Sequence, residues 1–521
     1  MAEYLSPGVY IEEFELGPRP IEGVSTSTAG FLGVTQRGPL TPRLITGFEQ
    51  FKRLYGGYLP VDDSTLPFAV DGFFKNGGQR CFVGRVAADD AVATVGVHGG
   101  VQVRAIGPGL WGDRIAIKVE PGGLLAPGQP MTLFKLTVMY WDVLPGTLVD
   151  PTDPANITNP NRVAPTLLEV YDNLRDDKTS VDFYEKRING NSSLVEVAQV
   201  AVGIPGVLPL TLLPSLGSGG AAGSPVDLAD YQGREIDLPD GTEGWTGLRG
   251  FEQVDEISIV SLPDHHKDPN LTTEVITHCE LLRDRFAVLH SHPGTDTLGN
   301  LQNVRVPQDT QFAAFYFPWI KVFNPLIQQD SLIPPSGHVA GIYARTDVER
   351  GVHKAPANVV VNGANALQFQ ITKREQDLLN PRGVNCIRSF PARGIRVWGA
   401  RTASTNTLWK YINVRRLFLF IEESIEEGTQ WVVFEPNDER LWARVNQTVT
   451  QFLTTVWRSG ALMGTKPEEA FFVKVDRTTM TQDDLDNGRL ICIIGIAPVK
   501  PAEFVIFRFT QYAGGSEVTE L

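Results

Sequence analysis

Apolar residues along the chain come in short runs broken by Gly and Pro, and the period of those runs changes twice. Thr28–Val34 is a strand-length apolar run. Gly47–Leu54 and Leu66–Phe74 carry helical spacing, the second through Phe68, Val70, Phe73 and Phe74, and Asn76-Gly77-Gly78 supplies a C-terminal stop. Cys81–Val86 reads as a strand. Between 87 and about 245 strand-like segments take over: Val92–Val97, Val101–Ile106, Arg114–Val119 and Leu133–Tyr140 are predicted strands separated by Gly and Pro turns. Residues 203–229, rich in Gly, Pro, Ser and Ala, read as a flexible surface excursion. From 246 onward helix and strand alternate again. Asp255–Ser261, Arg285–His290 and Ala313–Ile320 are predicted strands, and Thr272–Asp284 and a short piece at Val339–Thr346 are predicted helices. Tyr411–Ile425 and Asp438–Ser459 are the best-defined helices. In the second, Leu441, Val445, Val449, Phe452, Leu453 and Val456 share one face, with Pro436-Asn437 at its start and Gly460 at its end. Phe471–Asp476, Gly488–Ile496 and Glu503–Gln511 close the chain as strands.

This alternation predicts an α/β fold of mixed α+β character. Residues 23–86 with 246–498 form a composite core domain, and 87–245 form an inserted, mostly β outer domain. Residues 1–22 and 499–521 remain as extended arms. Val9, Tyr10 and Ile11 in the first arm, and Phe504, Val505, Ile506 and Phe507 in the second, are strand-like but have no core of their own to cover them. Such strands need a sheet edge supplied from elsewhere.

Composition narrows the function. The 521 residues include 46 Lys and Arg against 60 Asp and Glu, a net charge of −14 with no basic stripe, which argues against nucleic acid as a partner. No run approaches a membrane span of roughly 20 apolar residues, so no direct membrane insertion is expected. Met1-Ala2-Glu3-Tyr4 opens without a charged segment followed by an apolar one, and the chain is expected to be made in the cytosol. Cys81, Cys279, Cys386 and Cys492 are scattered without a CxxC pair and are read as buried free thiols.

Sequences that resemble catalytic motifs dissolve on inspection. Gly107-Pro108-Gly109-Leu110-Trp111-Gly112 matches GxGxxG, but a dinucleotide site needs a helix to follow, and Asp113–Val119 has period two; a hairpin corner is expected. His265, His266, His278, His290 and His292 crowd into one stretch, with His290-x-His292 as the nearest approach to metal-ligand spacing, yet they are distributed over a loop, a helix and a strand end. Ser336-Gly337-His338 lacks a GxSxG context. No GxxxxGK[ST] is present, so any work must come from energy stored at assembly. Glu422, Glu423, Glu426 and Glu427, with Arg415 and Arg416 upstream, are read as a solvated helix stripe. No catalytic residue, cofactor or metal is expected. A hydrolase centred on His290, His292 and Cys279 is the rival reading.

Longer motifs carry a resemblance. Ile333-Pro334-Pro335-Ser336-Gly337-His338-Val339-Ala340-Gly341-Ile342-Tyr343-Ala344-Arg345-Thr346-Asp347 and Arg350–Asn358 closely resemble the central motif of contractile tail sheath proteins. So do Leu379-Asn380-Pro381, Val397–Thr402, Trp409–Phe418, Phe434-Glu435-Pro436-Asn437 and Ala497–Phe504. Tyr4–Tyr10 and Phe73–Gly78 are similar at the other end. The resemblance covers about 1–86 and 246–512. It implies a subunit of a sheath built from six-membered rings stacked helically around an inner tube of another protein. Such a sheath meets baseplate and tail-terminator or cap proteins and contracts to drive the tube through a target envelope. A non-contracting baseplate or shell component is the alternative. The exposed Arg440, Arg444 and Arg458 of the helix at 438–459 are the candidate tube contact.

Overall fold

The computed structural model describes residues 20–126, 128–238, 241–292 and 308–508. Val9, Tyr10 and Ile11 therefore lie outside the described residues.

The body is a nine-stranded sheet in the order Val359–Val360, Gly394–Trp398, Val384–Phe390, Ala313–Phe317, Phe286–His290, Ile259–Ser261, Ala29–Gly33, Cys81–Arg85, Arg43–Ile45. The six strands from Val384–Phe390 to Cys81–Arg85 pair in parallel. Parallel strands are covered on both faces, so they read as continuous apolar runs. Phe286–His290 and Ala313–Phe317 are buried at every position. The hairpin Val384–Phe390 and Gly394–Trp398, not predicted as strands, extends the sheet antiparallel at one edge.

Helix Leu66–Lys75 lies against helix Ser336–Arg350. A Cβ on Gly337 would come within 2.3 Å of Ala69, and one on Gly341 within 2.4 Å of the Phe73 carbonyl, so only glycine allows this approach. The second helix is longer than the predicted 339–346 piece. Pro335 sits at its N-cap with helical φ of −79°, and the helix runs to Gly351 with φ of 91°.

Residues 95–218 form two four-stranded antiparallel sheets with their own apolar cluster, which includes Val103, Ile117, Phe134, Val138, Tyr184 and Leu213. Two expectations change here. The strand predicted at Arg114–Val119 begins at Ile115, because Leu110–Arg114 winds into a 3-10 turn after Gly109 (φ 118°). The stretch 203–229, expected as a flexible excursion, contains strand Leu208–Leu212. Its Pro209 is tolerated because the strand lies at a sheet edge and is irregular between Leu208 and Thr211. Arg85 is buried and donates 2.8 Å hydrogen bonds to the carbonyls of Gly38 and Pro108, fastening the Gly-rich corner to the body. Where the chain enters and leaves this region, Asp90 accepts from the Ser224 amide (2.7 Å) and hydroxyl (2.8 Å).

The last third has a further cluster of its own. Leu441, Val445, Val449, Phe452, Leu453 and Val456 of helix Glu439–Arg458 pack on Leu417 and Ile421 of helix Ile412–Gly428. The Asp438 carboxylate caps the former by accepting from the Arg440 and Leu441 amides at 3.0 and 2.9 Å. The ribbon Phe471–Lys474 with Ile493–Ile496 completes this unit.

Candidate functional site

Open parallel sheets bind ligands beyond the C-terminal ends of their strands, at the point where strand order reverses. Here that point lies between Ala29–Gly33 and Ile259–Ser261, and the protein fills it itself. Asp264, 1% exposed, accepts from the Ser64 hydroxyl (2.9 Å) and from the Thr65 amide (2.9 Å) and hydroxyl (2.8 Å). Thr65 begins helix Leu66–Lys75, so an internal carboxylate occupies the anion position of that helix terminus.

Four of the five histidines meet one strand further along. His265 Nε2 and His290 Nδ1 are 3.1 Å apart, His290 Nε2 and His266 Nδ1 3.4 Å, His265 Nδ1 and Thr272 Oγ1 2.8 Å, Thr272 Oγ1 and His292 Nε2 3.4 Å, and His292 Nδ1 and the His266 carbonyl 2.8 Å. One donor order satisfies the circuit: His266 to His290, His290 to His265, His265 to Thr272, Thr272 to His292, and His292 to the His266 carbonyl. In that order His265, His266 and His290 each carry a single ring proton and are neutral. Burial holds His265 and His290 well below the ordinary histidine pKa and His266 at about 4. Trp319 lies edge-on to His266 and His290 and donates to the Ser291 carbonyl at 3.0 Å. Nitrogens spent on one another are not available to an ion, and among the described residues no group of three or more His, Cys, Asp or Glu side chains is placed to hold a metal. His278 sits apart, against Arg285. Cys279 is fully buried and burial raises its thiol pKa, so it is not an activated nucleophile beside the histidines.

The predicted acidic stripe is reorganised. Arg416 is 3% exposed and forms a two-pronged pair with Asp347 at 3.0 and 2.7 Å, while also donating to the Thr26 carbonyl at 2.8 Å. Arg415 is buried between the rings of Phe312 and Trp409 and reaches Glu422 at 2.9 Å. Neither arginine is solvated, because this helix runs between two apolar clusters. Glu423 lines a cavity of about 220 Å³ with Asp255 and Asp284, where burial and those neighbours push its pKa up to about 7.

The C-terminal unit is less finished. Arg440 and Arg458 are exposed on helix Glu439–Arg458. Arg444 is also exposed, but it pairs with Glu435 at 3.2 Å and lies 4.9 Å over the Trp431 ring. The ribbon of Phe471–Lys474 and Ile493–Ile496 has two strands among the described residues, with Phe472 and Ile493 about half exposed. Beyond it, Glu503–Arg508, expected as the start of a strand, pairs with no strand among the described residues, and 509–511 lie outside them. Phe504, Val505, Ile506 and Phe507 are 70, 69, 77 and 78% exposed.

Immediately before that segment stands a site that sequence reasoning missed. The Glu503 carboxylate accepts from Asn380 Nδ2 (2.8 Å), Arg401 Nε and Nη2 (2.8 and 2.9 Å) and the Tyr411 hydroxyl (2.9 Å), with Lys410 at 3.6 Å. Burial would raise its pKa, but these hydrogen bonds, led by Arg401, prevail and hold it at about 2. Each of these four residues falls in a motif already noted. Their convergence across separations of 92 to 123 positions left no local signal.

A doubly wound sheet with its ligand crevice plugged from inside, joined to a unit that exposes an apolar tail, is the plan of a structural assembly protein. Residues 237–403 match the family model for the phage tail sheath protein central domain, and 404–511 match that for the phage tail sheath C-terminal domain. Together these span more than half of the chain, which belongs to the phage tail sheath family. The tail sheath protein of Burkholderia phage BcepMu is 29% identical over 184 residues, 34% of this chain and 37% of that protein. That of Vibrio phage KVP40 is 25% identical over 193 residues, 36% of this chain. The matched stretch thus spans 37% and 28% of these relatives' lengths. Among solved structures, the helical sheath of the anti-feeding prophage in its contracted state superposes with a TM-score of 0.59 at 25% identity, covering 97% of this chain and 99% of that one. A chain of the anti-feeding prophage baseplate superposes at 0.56 and 25% identity, covering 98% and 100%.

Proposed function

We propose that this protein is the subunit of a contractile sheath that polymerises around an inner tube and contracts to drive it through a target envelope. The observation that carries the reading is the run Phe504–Phe507, four consecutive large apolar side chains left in water. Burying each is worth roughly 1.5–3 kcal/mol before ordering costs, enough to join subunits when supplied by a neighbour's sheet edge. The half-exposed ribbon at Phe471–Lys474 and Ile493–Ile496 is such an edge. Residues 1–22 and 499–521 act as linking arms, with Val9, Tyr10 and Ile11 in the first. Residues 23–86 with 246–498 are the body, and 87–245 the outer domain. The arms keep their pairing while the bodies rotate and repack, which releases the energy of a metastable extended state.

The partners are other copies of the chain in six-fold rings, the inner tube, the baseplate, and a terminator or cap protein. Nucleic acid is not among them, and no helix of the described residues is long and apolar enough to cross a membrane. Arg440 and Arg458 share one stripe of helix Glu439–Arg458 and face the tube. Arg444 lies on the same stripe but acts through the loop it braces at Trp431 and Glu435. The subunit is not an enzyme, a reading supported by the internally satisfied crevice at Asp264 and the histidine circuit. The anti-feeding prophage baseplate match favours a second reading, a non-contracting baseplate component, which predicts rings without long polymers.

Truncation after Glu503 tests the proposal. The shortened chain is expected to fold and to remain unpolymerised, by sedimentation and negative-stain microscopy. Tubes of normal length from it would refute the reading.

A further inference from the structure

The C-terminal tail changes from bound to free at one peptide bond. Upstream, it runs beside the C-terminal unit: the Ala497 amide donates to the Ala470 carbonyl (2.8 Å), the Val499 amide to the Ala461 carbonyl (3.1 Å), and Asn413 Nδ2 to the Val499 carbonyl (3.2 Å). It then crosses to the nine-stranded body, where Glu503 is gripped by Asn380, Arg401 and Tyr411. Arg401 is itself rooted in the sheet. Its amide donates to Asn385 Oδ1 and its carbonyl accepts from Asn385 Nδ2, both at 2.7 Å, and Asn385 is fully buried in strand Val384–Phe390. Arg401 Nη1 also donates to the Asn380 carbonyl at 3.0 Å. The next residue, Phe504, is 70% exposed.

We propose that Glu503 is the pivot of the C-terminal arm, the residue that passes an adjacent subunit's pull into the parallel sheet and fixes the point at which the arm bends. The proposal rests on reading 504–521 as an intersubunit arm. A two-pronged arginine–carboxylate pair with two further donors resists being swung aside more than a single neutral hydrogen bond does. Three elements contribute donors: the turn at Asn380, the segment after strand Gly394–Trp398, and the residue preceding helix Ile412–Gly428. Without the grip the next hold is at Val499, so residues 500–503 join the free arm and add about 13 Å of reach. A longer arm leaves the neighbour's position less determined. Glu503 thus positions subunits without touching the partner itself, and a merely local staple would not affect their spacing.

The test uses full-length chains carrying Glu503→Ala and, as a milder change, Arg401→Lys, which keeps the charge and loses the fork. In unpolymerised protein, backbone order parameters at Lys500, Ala502 and Glu503 are expected to drop from rigid values to below about 0.6 in Glu503→Ala and by less in Arg401→Lys. Amides of Phe471–Lys474 are expected to stay unchanged, which shows that the fold is intact. Polymers of the variants, viewed by cryo-electron microscopy, are expected to show a broadened distribution of axial rise. Unchanged order parameters, or lowered ones with wild-type rise and spread, would overturn the pivot while the truncated chain still failed to polymerise. Normal polymers from the chain ending at Glu503 would instead remove the arm reading, and the pivot with it.

Discussion

The C-terminal edge of the parallel sheet and the C-terminal unit treat their exposed chemistry in opposite ways. At the sheet edge, where related architectures hold substrates, the Asp264 carboxylate sits on a helix terminus and four histidines close around Thr272, while at the opposite edge Arg416 pairs with Asp347 beside Thr26. In the C-terminal unit, a two-stranded ribbon and the apolar run Phe504–Phe507 are left incomplete. The contrast locates activity by what is unfinished. A protein that closes its crevice and opens its edges is suited to binding copies of itself, since backbone and apolar side chains recognise another strand more readily than a small molecule.

Three measurements would break or sharpen this contrast, beginning with the largest effect. Asp347→Ala strands Arg416 inside the protein, and removing one partner of a buried pair typically costs about 3–5 kcal/mol. Urea unfolding of unpolymerised chain is expected to show a loss of that size. A loss below about 1 kcal/mol would mean that the interior is less saturated than its geometry suggests.

Acid comes next. His265 and His290 lie well below their ordinary pKa, and His266 and His278 are held at about 4 and His338 at about 3, in each case chiefly by burial. The unfolded chain therefore binds more protons below pH 6.5, so these groups favour the fold above 6.5 and lose that contribution as pH falls toward 4. Each unit of depression is worth about 1.4 kcal/mol. Glu423, raised to about 7, works in the opposite sense between 4.5 and 7 and offsets part of the loss. The unfolding free energy is expected to fall from pH 6.5 to 4, and His266→Gln to flatten part of that slope. A flat profile would show that these buried imidazoles are not held neutral.

The smallest effect on stability is expected at the tail. Phe504→Ser with Phe507→Ser should leave the monomer within about 0.5 kcal/mol of wild type, as exposed substitutions do, yet shorten or abolish polymers. Strong destabilisation of the monomer would mean that the segment belongs to its own fold.

Much of the body was legible because its signals are local. Phe286–His290 and Ala313–Phe317 are apolar throughout, as fully covered strands must be, and the apolar face of helix Glu439–Arg458 repeats at helical spacing behind an Asp438 cap. Reading failed where geometry overrode composition. Leu208–Leu212 was hidden by surrounding Gly and Pro, and Leu167–Leu174 by its irregular register against Phe134–Tyr140. Arg415 and Arg416 look like surface charges in sequence because their partners Phe312, Trp409 and Asp347 are distant or of another type. The histidine crowding was visible, but its closure through Thr272 was not, since donor direction is set only once the strands align.

The hydrogen bonds between Asp90 and Ser224 carry a consequence for design. The region of two four-stranded sheets begins and ends within a single side chain's reach, so its excision would leave two stumps already touching, ready for a two- or three-residue splice. The same doorway would accept a foreign module, so that the two antiparallel sheets could be exchanged as a cassette while the nine-stranded body stayed whole.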